Sequence, residues 1–142
     1  PYGVFTPEGT AAPGFVLIGG GVGVTPLVSM CETFAARGDE RPVIFFYGSQ
    51  GEDKLRFRGR LNELEKGGRL KMVYALEQPP AGWRGETGYL DAVKLRRHLP
   101  EGYTKYQYFV CGPGPMMDAM ERALETLGIP GGQIHTERFN MV

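Results

Sequence analysis

The stretch from Gly9 to Cys31 constrains this chain more than any other. It runs 23 residues without a charge, long enough to cross a bilayer as a helix. Six of those residues are glycine and two are proline, which a continuous apolar helix tolerates poorly. The apolar block Phe15–Ile18 is short and runs straight into Gly19-Gly20-Gly21-Val22-Gly23. The segment therefore reads as strand, turn and helix, with no membrane segment.

The same alternation continues along the chain. Apolar blocks predict five strands: Phe15–Ile18, Val43–Tyr47, Leu70–Leu76, Tyr106–Cys111 and Gln133–Phe139. The first, second and fourth are nearly unbroken apolar runs, as expected of strands covered on both faces. Helical patterns lie between them. The first starts at Thr25-Pro26, with Thr25 as cap and Leu27, Met30, Cys31 and Phe34 on one face, and Gly38 ends it. The second runs from about Asp53 to Lys66, with Phe57, Leu61 and Leu64 inward. The third spans about Asp91 to His98. The fourth starts near Pro115, with Met116, Met120, Leu124 and Leu127 inward, and stops at Gly128. This order predicts a doubly wound α/β fold: a five-stranded parallel sheet, order 3-2-1-4-5, with helices on both faces. Residues 13–142 form that domain. Residues 1–12 stand outside the alternation and read as the trailing edge of something else.

Charge and cysteine content narrow the function. Sixteen Lys and Arg balance sixteen Asp and Glu, so no electrostatic footprint points to nucleic acid or an anionic membrane surface. Cys31 and Cys111 lie too far apart for a metal motif, and two cysteines make no disulfide framework. That usage suits a reducing, cytoplasmic setting. No metal cluster and no nucleophile triad is apparent. Glycine is the outlier, 22 of 142 residues, gathered at a few turns.

Four of those glycines fall within five positions, Gly19 to Gly23, between a strand and a helix. Glycines permit positive φ and close approach of a ligand to the backbone. The following helix start, through Val22, Gly23, Val24, Thr25 and Pro26, offers free N–H groups and the positive end of the helix dipole. The first acidic residue beyond the turn is Glu32. An anion such as phosphate fits there; a glycine-packed strand–helix connection is the plainer alternative. The spacing departs from G-x-G-x-x-G, because Pro26 stands where the third glycine belongs. Cys111-Gly112-Pro113-Gly114-Pro115 repeats the arrangement after the fourth strand. In a 3-2-1-4-5 sheet both turns face the crevice where strand order reverses. An extended dinucleotide has the right shape to reach both.

Gly19-Gly20-Gly21-Val22-Gly23-Val24-Thr25-Pro26, Cys111-Gly112-Pro113 with Met116-Met117, and Glu137-Arg138-Phe139 together resemble the nicotinamide-nucleotide domain of the ferredoxin–NADP⁺ reductase superfamily. Within it the ending is most similar to ferric-reductase-type, flavin-linked members. Pro1-Tyr2-Gly3-Val4-Phe5 resembles the stretch that closes the family's flavin barrel. The resemblance implies that residues 1–12 trail an upstream FAD-binding domain of the same parent chain. It implies an oxidoreductase in which NAD(P)H, held here, passes hydride to FAD. Electrons then go singly to haem, an iron–sulfur centre or ferric iron. It leaves open a membrane anchor elsewhere in the parent, with this domain on the cytoplasmic side.

Residue by residue, the resemblance places pyrophosphate on the backbone from Gly20 and Gly21 to Thr25. It places nicotinamide beside Cys111 and Gly112, with Pro113 and Met116 also at the cofactor. Glu137 would help position the nicotinamide or a proton, and Phe139 would stack on the flavin. The adenosine ribose falls near Ser49-Gln50. Gln50 stands where many NADP-using relatives have arginine, so NADH and NADPH both stay open; Lys54 or Arg56 could grip a 2′-phosphate. A nucleotide-binding regulatory module without hydride transfer is the competing reading.

Overall fold

The structure is a computed structural model that describes residues 11–139, the side chains of residues 138 and 139 excepted. Most of the stretch 1–12 expected to trail a preceding domain therefore lies outside the described residues.

Six strands form one sheet in the order β4-β3-β2-β1-β5-β6. They are β1 (Phe15–Gly20), β2 (Val43–Gly51), β3 (Leu70–Gln78), β4 (Glu86–Thr87), β5 (Gln107–Pro113) and β6 (Ile134–Phe139), and every adjacent pair is parallel. The helices are α1 (Val24–Ala36), α2 (Arg58–Lys66), α3 (Ala92–His98) and α4 (Gly114–Thr126). Side chains alternate across a strand, and the core divides accordingly. Phe15 and Leu17 of β1 pack with Leu27 and Phe34 of α1 and Leu61 of α2. Val16 and Ile18 pack on the other face with Leu95 of α3 and Met117, Met120 and Leu124 of α4. Parallel strands buried this way carry apolar residues at every position, as β1 does.

The sheet thus has six strands, not five. The five expected strands keep their expected order, and the two-residue β4 adds an edge beside Ala75 and Leu76 of β3. Two residues are too few to show any apolar alternation. Tertiary contacts hold the segment instead: the Trp83 indole N–H donates to the Glu86 carbonyl oxygen at 3.0 Å, and Gly88 N–H donates to Leu76 oxygen at 2.8 Å.

Helix limits also differ from expectation. α1 begins at Val24 and follows directly on a 3₁₀ turn at Gly21–Gly23, with no side-chain cap. Thr25 therefore lies inside the first turn and does not cap. α2 begins at Arg58, because Phe57 adopts φ 62°, outside the helical region. Phe57 is consequently exposed and does not face inward as expected. In α4 the inward residues are Met117, Met120, Ala123 and Leu124; Met116 is half-buried. Both long helices stop as the glycines predict. Gly38 and Gly128 take positive φ, and Asp39 N–H reaches Phe34 oxygen while Ile129 N–H reaches Leu124 oxygen, the 6→1 bond of a Schellman ending.

Candidate functional site

The chain runs from β1 outward to β4 and then returns to β5 on the other side of β1, so strand order reverses between β1 and β5. A cleft of about 540 Å³ opens beside this point, at the carboxyl ends of the strands. Its floor is small: Gly20, Gly48 and Ala75. One wall is Pro113, Pro115, Met116 and Ala119, at the end of β5 and along α4; the other is Gly88, Tyr89 and Leu90, ahead of α3. Ser49, Gln50 and Glu77 line its far end.

The two glycine turns touch each other. Gly19 pairs in register with Cys111. A Cβ built on Gly23 would lie 2.3 Å from the Cys111 carbonyl oxygen and 2.7 Å from Gly112 Cα. A Cβ on Gly112 would meet Met116 Sδ at 2.8 Å, and one on Gly20 would meet it at 2.9 Å. Gly19, Gly23 and Gly112 therefore serve close packing between turns. Gly20 and Gly21 line the cleft, and Gly21 takes φ 57°.

The helical run starts earlier in the chain than expected. The 3₁₀ turn at Gly21–Gly23 leads straight into α1, so the run begins at Gly21 rather than Thr25. Gly20 and Gly23 offer no side-chain cap, and no acidic residue occupies either first turn. Backbone N–H groups at the mouth thus meet an electrostatic environment suited to an anion. Val22 and Thr25 are exposed there, Pro26 is half-buried, and Val24 is buried in the core.

Of the expected site residues, the cleft brings together Gly20, Gly21, Ser49, Gln50, Pro113 and Met116. It does not include Cys111. That side chain is fully buried with the α1 face of the core. Burial, with a smaller contribution from the Glu137 carboxylate, pushes its thiol up to about 12, so it is a neutral thiol and not a nucleophile at physiological pH. Glu137 pairs in register with Cys111 across β5 and β6 and is half-buried. Phe139 pairs with Pro113 through the backbone; its side chain lies outside the described residues.

Among the lining residues that escaped the sequence reading are Glu77, Tyr89 and Leu90. Glu77 follows the expected end of the third strand by one position, and β3 in fact extends through Gln78. Tyr89 is 76% exposed, and Leu90 covers Gly48. The signal for Glu77 was its place at a strand's carboxyl end, where ligands of such sheets bind.

A parallel α/β sheet with its cleft at the reversal point, beside two glycine turns, defines a doubly wound domain of the ligand-binding type. More particularly, the chain belongs to the oxidoreductase NAD-binding domain family, whose sequence profile matches residues 17–122. It is 32% identical over 140 residues to the ferredoxin reductase component of 3-ketosteroid-9-alpha-monooxygenase from Rhodococcus rhodochrous, covering 99% of this chain and 38% of that protein. It is 36% identical over 107 residues to NADH-cytochrome b5 reductase 2 of Scheffersomyces stipitis, covering 73% of this chain and 36% of the relative. The chain thus spans less than two fifths of either relative's length. Among solved structures, the cytochrome b5 reductase domain of Ulva prolifera nitrate reductase superposes with a TM-score of 0.82 at 26% identity, covering 90% of this chain and 49% of that one.

Among the described residues no helix is long and apolar enough to cross a membrane.

Proposed function

We propose that this chain is the part of an FAD-dependent reductase that binds NAD(P)H and presents its nicotinamide to the flavin. The supporting observation is the contact of the two glycine turns beside one cleft, so that a single elongated molecule reaches both. The residues present suit such a ligand. Gly20 and Gly21 present bare backbone to the cleft, and uncapped N–H groups at Gly21 to Gly23 receive the pyrophosphate. Gln50 faces the adenosine ribose. Pro113 and Met116 form an apolar wall for the nicotinamide half.

The chain's contribution is placement. Fixing two reacting rings face to face removes much of the entropic barrier to transfer, and the apolar wall excludes water from that end. Cys111 and Glu137 stand behind the turn at Gly112, and Glu137 positions the nicotinamide or holds a proton near it. When bound, FAD supplies hydride acceptance and one-electron release to the next carrier. That FAD would be held mainly by a domain preceding residue 13 in the same parent chain. Phe139 would cover the flavin until nicotinamide enters. The onward acceptor is haem, an iron–sulfur centre or ferric iron; the relatives' names point to cytochrome b5 in one case and a ferredoxin-type system in the other.

The test is flavin reduction by NAD(P)H in the parent protein, read as loss of flavin absorbance, with Gly21→Val as the variant. The bulky side chain at the φ 57° turn should abolish reduction and dinucleotide binding together. Unchanged rates would overturn the site. Dinucleotide binding with no flavin reduction would favour a regulatory module.

A further inference from the structure

We infer that Glu86 is a positioning residue for the bound dinucleotide, because its carboxylate latches the cleft wall at residues 88–90 in place. This rests on the reading of the cleft as a dinucleotide site. Glu86 does not itself line the cleft. It acts through the backbone that follows it. Thr87 pairs with Leu76 of β3, Gly88 N–H donates to Leu76 oxygen at 2.8 Å, and Gly88 turns the chain with φ 83°. Tyr89 and Leu90 then complete the wall. Leu90 covers the floor: its Cδ1 lies 3.5 Å from where a Cβ on Gly48 would be.

So short a wall depends on how its two ends are held. At the α3 end, the Asp91 carboxylate accepts Lys94 N–H at 2.8 Å, and Leu95 is fully buried. At the other end stands β4, two residues at the edge of the sheet, paired on one side only. Strands of ordinary length make several more such pairs. Glu86 supplies the missing hold. Its Oε1 accepts from Arg97 at 2.6 Å and its Oε2 from His98 Nε2 at 2.7 Å, both in the last turn of α3. The side chain is only 13% exposed, so water competes little for these charge-assisted bonds. β4, the wall and α3 therefore close a loop, and Glu86 is its clasp. With the clasp open the wall is ordered only when ligand arrives, and that cost falls on binding. The reacting end lies at the opposite wall, by Pro113 and Met116, so transfer within the filled site is spared.

The experiment uses the FAD-containing parent protein and whichever of NADH and NADPH the wild type binds more tightly. Three quantities are read: dinucleotide Kd, the flavin-reduction rate at saturation, and ligand-free hydrogen exchange at residues 87–90. Glu86→Ala should raise Kd about tenfold, the scale of one lost charge-assisted hydrogen bond. It should speed the exchange and hold the saturated rate within about twofold, the pattern of a lost ground-state contact. Arg97→Ala removes one of the two bonds from an exposed position; it should give a smaller rise, and it keeps the test readable if Glu86→Ala fails to fold. Phe57→Ala, a change away from the clasp, should leave Kd unmoved. An equal rise in Phe57→Ala would reduce the effect to lost stability and overturn the assignment. Faster exchange with an unmoved Kd would overturn it too, as would a loss that falls on the saturated rate. Unchanged exchange would sink the clasp while the cleft reading stands. If neither dinucleotide binds the wild type, the cleft reading itself fails and this assignment falls with it.

Discussion

Gly23 lies directly against the Cys111 carbonyl, with room for no side-chain atom between them. The contact joins the turn after β1 to the turn after β5, so one glycine fixes the geometry of both.

Gly23→Ala should therefore destabilise strongly. Its Cβ would lie 2.3 Å from backbone oxygen, which has no rotamer with which to retreat. Overpacking of this kind costs about 1–3 kcal/mol, measurable as a lower urea midpoint. Gly20→Ala is the contrast. There the nearest atom is the Met116 thioether at 2.9 Å, the end of a flexible side chain, although Gly48 oxygen lies at 3.1 Å. Gly20→Ala should lose less stability and more dinucleotide affinity.

The two thiols make stability fall in alkali. Burial, assisted by Glu32, pushes Cys31 from 9.0 up to about 12; burial, assisted by Glu137, does the same for Cys111. A raised folded value stabilises fully below pH 9, and that contribution is lost as pH climbs from 9 towards 12. The buried Tyr47 and Tyr106 and the half-buried Tyr74 shift upward from 10 through burial and add to the loss later. Urea unfolding at stepped pH should show the decline beginning near 9 in the wild type. A Cys31→Ala, Cys111→Ala double variant should start lower and keep only the later, tyrosine-driven part. Native Cys111 should also resist alkylation at neutral pH and react once unfolded.

Acid should loosen the sheet's β4 edge. Burial works against the Glu86 carboxylate, yet hydrogen bonds from Arg97 at 2.6 Å and His98 at 2.7 Å hold it below its usual 4.5. A lowered folded value stabilises above 4.5, and the contribution disappears as pH falls through the folded value. Trp83 is the chain's one tryptophan and bonds the Glu86 carbonyl, so its fluorescence reports this corner. Glu86→Gln should be less stable at neutral pH and show a flatter acid dependence. An acid profile unchanged in that variant would show that Glu86 carries none of it.

The five long strands and both Schellman endings were legible because they depend on local signals, unbroken apolar runs and glycines where left-handed residues belong, and the order of those strands followed from their alternation with helices. Gly20 and Gly21 were legible as cleft residues because a glycine turn at a strand end is where such sheets bind ligands, whereas Gln50, Pro113 and Met116 came from the family resemblance. The rest depended on long-range contact. Nothing local marks Glu86–Thr87 as a strand, because its place comes from the Trp83 bond and the Arg97 and His98 contacts with Glu86. Cys111 was expected beside the ligand because it ends a strand at a glycine turn. Side-chain alternation sends it to the opposite face, and only the register of β5 against β1 reveals that.

Phe57 carries the one positive φ of a non-glycine residue among the described residues. A left-handed conformation costs an L-residue roughly 1–2 kcal/mol, and asparagine tolerates it better. Phe57 stays 40% exposed, and its ring gains the Arg56 guanidinium at 5.5 Å, a contact worth about 0.5–1 kcal/mol at an exposed site. Phe57→Ala removes the ring and keeps the strain, so it should lower the urea midpoint. Phe57→Asn removes the ring and relieves the strain, so it should exceed the alanine variant by about 1 kcal/mol. The gap between these variants isolates the backbone's share, because both lose the same ring contacts. Equal midpoints would mean that the turn ahead of α2 relaxes to negative φ once the ring is gone.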